Sequence, residues 1–129
     1  MYQVSGGRLG SILPGQLPVL LLTTTGHRSG LLRTHPLGYL TQENRYVVVA
    51  SNAGEPRHPA WYHNLSAHPE AVIQAGTRRM IVRAREAAGE EREALWAEIV
   101  GHDPSYAVYQ DRTSRLIPLM ILEVQPQDG

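Results

Sequence analysis

A chain of 129 residues, 42% hydrophobic and 19% charged, suits one globular domain with one core and excludes a disordered or fibrous protein. With no cysteine it can form neither a disulfide nor a thiolate metal site. Net charge is zero, but residues 1–85 carry 9 Arg against 3 acids and residues 86–129 carry 3 Arg against 9, so the N-terminal portion favours an anionic partner.

Residues 1–16 hold Gly6-Gly7, Gly10, Pro14 and Gly15 and read as a short N-terminal arm. They lack a continuous apolar stretch, so a secretory signal is not expected and the expected location is cytoplasmic. The run Leu17 to Thr24 is almost wholly apolar or β-branched and predicts a first strand buried on both faces. At six apolar residues, Leu17 to Leu22 falls far short of the roughly 18 a membrane helix needs, so membrane association is not expected.

The stretch Thr23 to Arg33 then turns the chain. Gly26 and Gly30 suit a tight reversal that lets backbone approach a ligand, and the hydroxyls and arginines between and beside them suit an oxyanion such as phosphate. An ordinary polar hairpin would carry the same glycines. A second strand is predicted over Leu32 to Leu40, with Pro36 marking an edge, bulge or bend, and a third over Arg45 to Ala50.

After the loop Ser51 to His58, Pro59 suits a helix start and Ala60 to Ala67 reads as a short helix. Glu70 to Ala75 and Arg78 to Glu86 flank Gly76-Thr77 as a hairpin. An acidic helix is predicted over Gly89 to Val100, ended by Gly101, then a short helix over Pro104 to Arg112 and a closing strand over Leu116 to Val124 that includes Pro118. Residues 125–129 form a tail. Six strands with inserted rather than alternating helices predict a mainly β, α+β fold: a single-domain antiparallel barrel over residues 17–124.

Four blocks in order carry a family resemblance: Leu21 to Gly30 with Arg33 and Pro36; Val47 to Gly54; His58 to Leu65; and Pro104-Ser105-Tyr106 with Tyr109, ahead of Ile117-Pro118. Together they resemble the deazaflavin (F420)-dependent nitroreductase family. The resemblance implies a split β-barrel related to FMN-binding barrels, with coenzyme F420 as cofactor and FMN as the alternative. It implies hydride delivery from reduced F420 to a small-molecule electron acceptor, such as a quinone or nitro compound. A carrier protein that binds F420 with little turnover is the other open reading. The resemblance also fits an actinobacterial host, as does an arginine-only set of basic residues.

Carried over by position, the family's cofactor contacts fall on His27, Arg28, Ser29, Arg33, Thr34, His35, Pro36, Leu37, Gly38, Val49, Ala50, Ser51, Asn52, Ala60, Trp61, Tyr62, His63, Asn64 and Tyr106. Two positions depart from the family's pattern: His27 stands where arginine is usual, and Ala60 where a bulkier residue is. The N-terminal extension of some members, which would meet the membrane, has no counterpart here. Arg28, Arg33 and Arg57 suit the cofactor's phosphate and carboxylate tail. Trp61 reads either as a wall of the ring site or as core packing with Leu65, and Asn64 as a polar contact. Tyr106, as proton donor or substrate contact, and Tyr109, in the substrate pocket, are the catalytic candidates, with water an alternative proton source.

Other chemistries are not supported. His58, His63 and His68 are five apart, which on a helix separates them by about 140°, and no H-E-x-x-H occurs, so no metal site is expected. Gly26 to Gly30 is not a serine-nucleophile elbow, because Ser29 stands one position late. No nucleic-acid-binding module is present, so nucleic acid is not an expected partner; a homodimer is left open.

Overall fold

The computed structural model describes residues 17–126; the N-terminal arm and the last three residues of the tail lie outside them. Six strands are present: β1 (Val19–Thr25), β2 (Leu32–Gln42), β3 (Arg45–Val49), β4 (Glu70–Ala75), β5 (Arg78–Glu86) and β6 (Leu119–Val124). They close a fully antiparallel barrel in the order β1-β2-β3-β6-β5-β4. Helix α1 (Ala60–Ala67) is inserted between β3 and β4, and α2 (Gly89–His102) and α3 (Ser105–Asp111) between β5 and β6. This is the mainly β barrel with inserted helices that the strand pattern predicts.

Two apolar clusters hold it. Alternation directs Leu20 and Leu22 of β1, Ala71 and Ile73 of β4, and Met80 and Val82 of β5 inward. They meet Tyr46, Val48, Met120 and Leu122, and Trp61 and Leu65 of α1 join the same cluster. The second cluster covers the other face of β3 and β6: Val47, Val49, Leu119 and Ile121 pack with Leu95 and Ile99 of α2, and with Tyr106 and Tyr109 of α3. β3 and β6 are therefore buried on both faces, whereas β1 alternates between buried and half-buried residues. The two-sided burial expected of β1 belongs to β3 and β6, because α2 covers only their side.

Several boundaries differ from expectation. Helix α2 runs through Gly101 to His102, since Asp103 N–H closes on the Ile99 carbonyl and no left-handed cap is needed. Pro118 lies just before β6 rather than in it, and its carbonyl accepts from Ala50 N–H. Of the edge, bulge or bend expected at Pro36, the edge is found: β2 runs on past it, with Pro36 opposite Leu21 in a stretch paired on one side only.

The feature that makes a site is the uneven pairing of β2. Its whole first half faces β1, but pairing with β3 begins only at Tyr39. From Leu32 to Gly38 the strand has a ladder on one side only. Pro36 is tolerated in that half, and the barrel wall is open beside it.

Candidate functional site

A cavity of about 610 Å³ lies in that opening. His35, Pro36, Leu37 and Gly38 of β2 form one side, and Val49, Ser51, Asn52 and Ala53 at the end of β3 form the other. Arg57, His58, Pro59, Ala60 and Trp61 line it at the start of α1, and Tyr106 and Tyr109 line it from α3. Its volume suits an organic ligand of cofactor size. It adjoins two grooves that share lining residues with it. One, of about 340 Å³, is lined by Gly26, His27, Arg28, Ser29, Arg33, His35, Ala60 and Asn64. The other, of about 530 Å³, runs along His27, Arg28, Pro56, Arg57, His58, Ala60 and His63.

The turn that supplies the basic residues is tied by its own backbone: Gly26 N–H donates to Leu31 O at 2.7 Å and Gly30 N–H to Gly26 O at 2.9 Å. Gly30 takes φ +74°, and Ser29 Oγ is used internally as acceptor for Leu31 N–H. The turn hangs on buried Asn64. Asn64 Oδ1 accepts from His27 N–H at 2.9 Å and lies 2.8 Å from His27 Nδ1, while its Nδ2 donates to Thr24 Oγ1 at 3.0 Å. Both ends of this amide are thus spent on protein partners, and its part in the site is to place His27 and Arg28. Among the described residues, no carboxylate pairs with Arg28, Arg33 or Arg57. Three cations at the rim are left to water or to an anion.

At the inner end, Tyr106 and Tyr109 stand edge to face with centroids 5.8 Å apart. Burial, with lesser contributions from Asp103 and Tyr109, pushes the Tyr106 phenol up to about 12, so it keeps its proton at neutral pH. A Cβ on Gly38 would sit 3.1 Å from the Tyr106 hydroxyl, so glycine there clears the phenol's path into the cavity. His35 lines both the cavity and the Gly26–Asn64 groove, and its Nδ1 is sealed from solvent without a hydrogen-bond partner. An orphaned buried nitrogen of this type costs about 1–3 kcal/mol unless something supplies a partner.

Most of the residues singled out in the sequence converge here, but three do not line the cavity or its grooves. Thr34 alternates to the opposite side of β2, where its hydroxyl meets Thr23 Oγ1 at 2.8 Å. Ala50 is buried in the barrel core. Tyr62 turns away to donate to Glu86 at 2.6 Å while its ring packs on His58 at 4.5 Å. Trp61 is both wall and core, since it lines the cavity and is 4% exposed within the inner cluster. The histidines do not share one helix, so the helical angle between them does not apply. His58 lies outside α1, so its ring comes within 5.9 Å of His63, which lies 5.8 Å from His27. Among the described residues these rings still form no metal-holding group.

The site also takes in Ala53, Pro56, His58 and Arg115, which the sequence does not single out as site residues. The last touches the site from afar: Arg115 donates from all three guanidinium nitrogens to the Ala50–His58 loop. No local pattern marks it, because its partners are 57 to 65 positions away.

A family model described as F420H(2)-dependent quinone reductase matches residues 1–124. An F420H(2)-dependent quinone reductase of Mycobacterium tuberculosis is 40% identical over 126 residues, covering 95% of this chain and 84% of that protein. A second M. tuberculosis protein, a putative quinone reductase of the same kind, is 39% identical over 115 residues, covering 89% and 97%. Among solved structures, an F420-H2 dependent reductase is 45% identical with TM-score 0.76, over 82% of this chain and 94% of that one. Another, described as a domain-swapped dimer, is 42% identical with TM-score 0.77, over 91% and 88%. A pyridoxamine 5'-phosphate oxidase-like protein of Listeria innocua, at 11% identity and TM-score 0.61 over 84% of each chain, shares the fold alone.

Proposed function

Because the chain belongs to the F420H(2)-dependent quinone reductase family, we propose that the split of its barrel seats the deazaflavin ring while the arginine-lined grooves hold the anionic tail. The protein is an F420H2-dependent oxidoreductase with coenzyme F420 as its cofactor. The observation that carries the site reading is continuity: a ring-sized cavity opens past His35 and Ala60 onto Arg28, Arg33 and Arg57, none of which has an acidic partner among the described residues. The chemistry of these residues fits the group: guanidinium donors without acidic partners stand beside a cavity partly walled by apolar side chains.

When bound in its reduced form the cofactor supplies a hydride. The protein's work is holding and shielding. Arg28 and Arg33 provide charge-assisted donors to a phosphate or carboxylate, and Arg57 faces them from the other side of the rim. Trp61, Leu37 and Val49 give the cavity apolar wall against which a ring can pack. Tyr106 and Tyr109 line the part that takes the electron-poor acceptor, for which a quinone is the best candidate. Because Tyr106 keeps its proton, its hydroxyl donates a hydrogen bond to an acceptor oxygen gaining negative charge. A homodimer accords with the solved relative described as a domain-swapped dimer. No helix among the described residues is long and apolar enough to cross a membrane.

The test is a side-by-side titration with F420 and FMN, followed through tryptophan fluorescence, on the native protein and on Arg28→Ala. F420 should bind more tightly than FMN. Loss of one charge-assisted contact should weaken it by about one to two decades. Menadione should then oxidise reduced F420 in the protein's presence. Equal or tighter FMN binding, with no menadione-dependent turnover, would overturn the assignment.

A further inference from the structure

The loop from Ala50 to His58 forms one wall of the cavity, and three hydrogen bonds of its own (Gly54 N–H to Ser51 O, Glu55 N–H to Asn52 O, Asn52 Nδ2 to Arg57 O) are only part of what holds it. Asn52 and Ala53 take positive φ of 46° and 54°, a conformation that costs a residue with a side chain and needs outside support. Part of the support is packing: buried Gly54, at φ +79°, lies so close to α3 that a Cβ there would stand 2.7 Å from the Tyr109 carbonyl. Further support comes from the segment between α3 and β6. Arg115 Nη2 donates to Ser51 O at 2.7 Å, Nε to Glu55 O at 3.0 Å, and Nη1 to Ala50 O at 3.2 Å. Gln110 of α3 fixes the segment in turn, with its Nε2 on Arg115 O and its Oε1 accepting from Ile117 N–H.

The fourth contact is the informative one. Arg115 Nη1 stands 2.9 Å from His58 Nδ1. A guanidinium has donors only, so Nδ1 must present its lone pair, and the ring's proton is on Nε2. His58 lies at the junction of the cavity and the basic groove. We propose that Arg115 is a positioning residue that clamps the Ala50–His58 loop and fixes His58 as the neutral Nε2–H tautomer, a hydrogen-bond donor to the ligand at that junction. The ligand part of this proposal rests on the function argued above; the clamp and the tautomer do not.

A proton arriving on Nδ1 would remove the lone pair that Arg115 uses and set two cations against each other. The groups facing His58 are Arg115, His63 and Tyr62, with Glu86 beyond and Arg57 adjacent in sequence. Burial, then Arg115 and His63, lower its pKa below the ordinary 6.5, and Glu86 opposes them. The folded form thus favours neutral His58. The clamp's contribution is complete above about pH 6.5 and is lost as pH falls through the lowered folded value.

Nitrogen-15 NMR of the histidine side chains tests the tautomer without any cofactor, so its result stands apart from the F420 assignment. In the native protein His58 should show a lone-pair Nδ1 and a protonated Nε2 at neutral pH; a protonated Nδ1 would overturn the proposal. In Arg115→Met the same ring should become a tautomer mixture and titrate closer to the free imidazole, and F420 should bind about tenfold more weakly at pH 7. Arg115→Lys, which keeps the charge but not the fork, should restore part of the pH profile and little of the affinity. If His58 resonances and the pH profile of F420 binding in either variant match the native protein, Arg115 does not position the site.

Discussion

On one side of the cavity mouth the Gly26–Gly30 turn hangs on Asn64, a neutral amide buried in α1. On the other, the Ala50–His58 loop hangs on Arg115, a charged fork only half covered. The two ties make a similar number of hydrogen bonds, yet they couple their walls to the rest of the molecule differently. Water cannot replace Asn64, which is 3% exposed and joins turn, strand and helix at one point. Its loss strands Thr24 Oγ1 in the core, unties the turn at His27 N–H and must weaken the fold itself. Arg115 is itself partly exposed and one of its partners, Glu55 O, lies at the surface, so its loss frees a loop more than it unsettles a barrel. A neutral buried tie makes the wall as stable as the domain; a half-exposed charged tie lets the wall respond to proton and ligand.

The contrast can be broken most forcefully at Gly54. Alanine there must hold φ near +79° and push against a backbone carbonyl and Arg112 Cβ at 2.9 Å, so Gly54→Ala should cost about 3–4 kcal/mol in urea unfolding. A loss below about 1 kcal/mol would mean that the loop shifts freely and that its packing on α3 matters little. Next comes Asn64→Ala, with an expected loss of about 2–3 kcal/mol and a fall of roughly 10 °C in Tm. That fall should far exceed that of Arg115→Met; a Tm matching the native protein would erase the distinction between the two ties. The smallest effect is expected away from both. Glu91 is held at about 2 by Arg85 foremost and by Arg45, against an ordinary 4.5. Its contribution is present above pH 4.5 and disappears as pH falls through about 2. With the pair partly exposed, Glu91→Gln should cost under about 1 kcal/mol at pH 7, progressively less as pH falls toward 2, and leave F420 binding unchanged. A change in binding would show that the surface network reaches the site.

The barrel was legible because alternation is local. Glu70 to Ala75 and Arg78 to Glu86 appear in the structure with the boundaries their patterns predict, as does the helix over Ala60 to Ala67. Gly101 misled, since a helix ends on glycine only where its last carbonyls need a left-handed cap, and here Asp103 closes the turn instead. Much of the candidate site was visible through its four sequence blocks. Sequence alone could not show which side chains face the cavity and which hold it. Asn64 reads as a ligand contact until His27 and Thr24, 37 and 40 positions away, are seen to occupy it. Arg115 reads as a surface charge until the chain returns to β6.

The half-paired β2 has a consequence for how this scaffold can change. Between Leu32 and Gly38 a substitution disturbs one strand ladder rather than two, yet His35 to Gly38 all line the cavity. Pocket shape can therefore be rewritten at Pro36 or Leu37 while the closed part of the barrel carries the cost of folding. A library confined to those two positions would sample new acceptor shapes with the smallest sacrifice of soluble, folded protein.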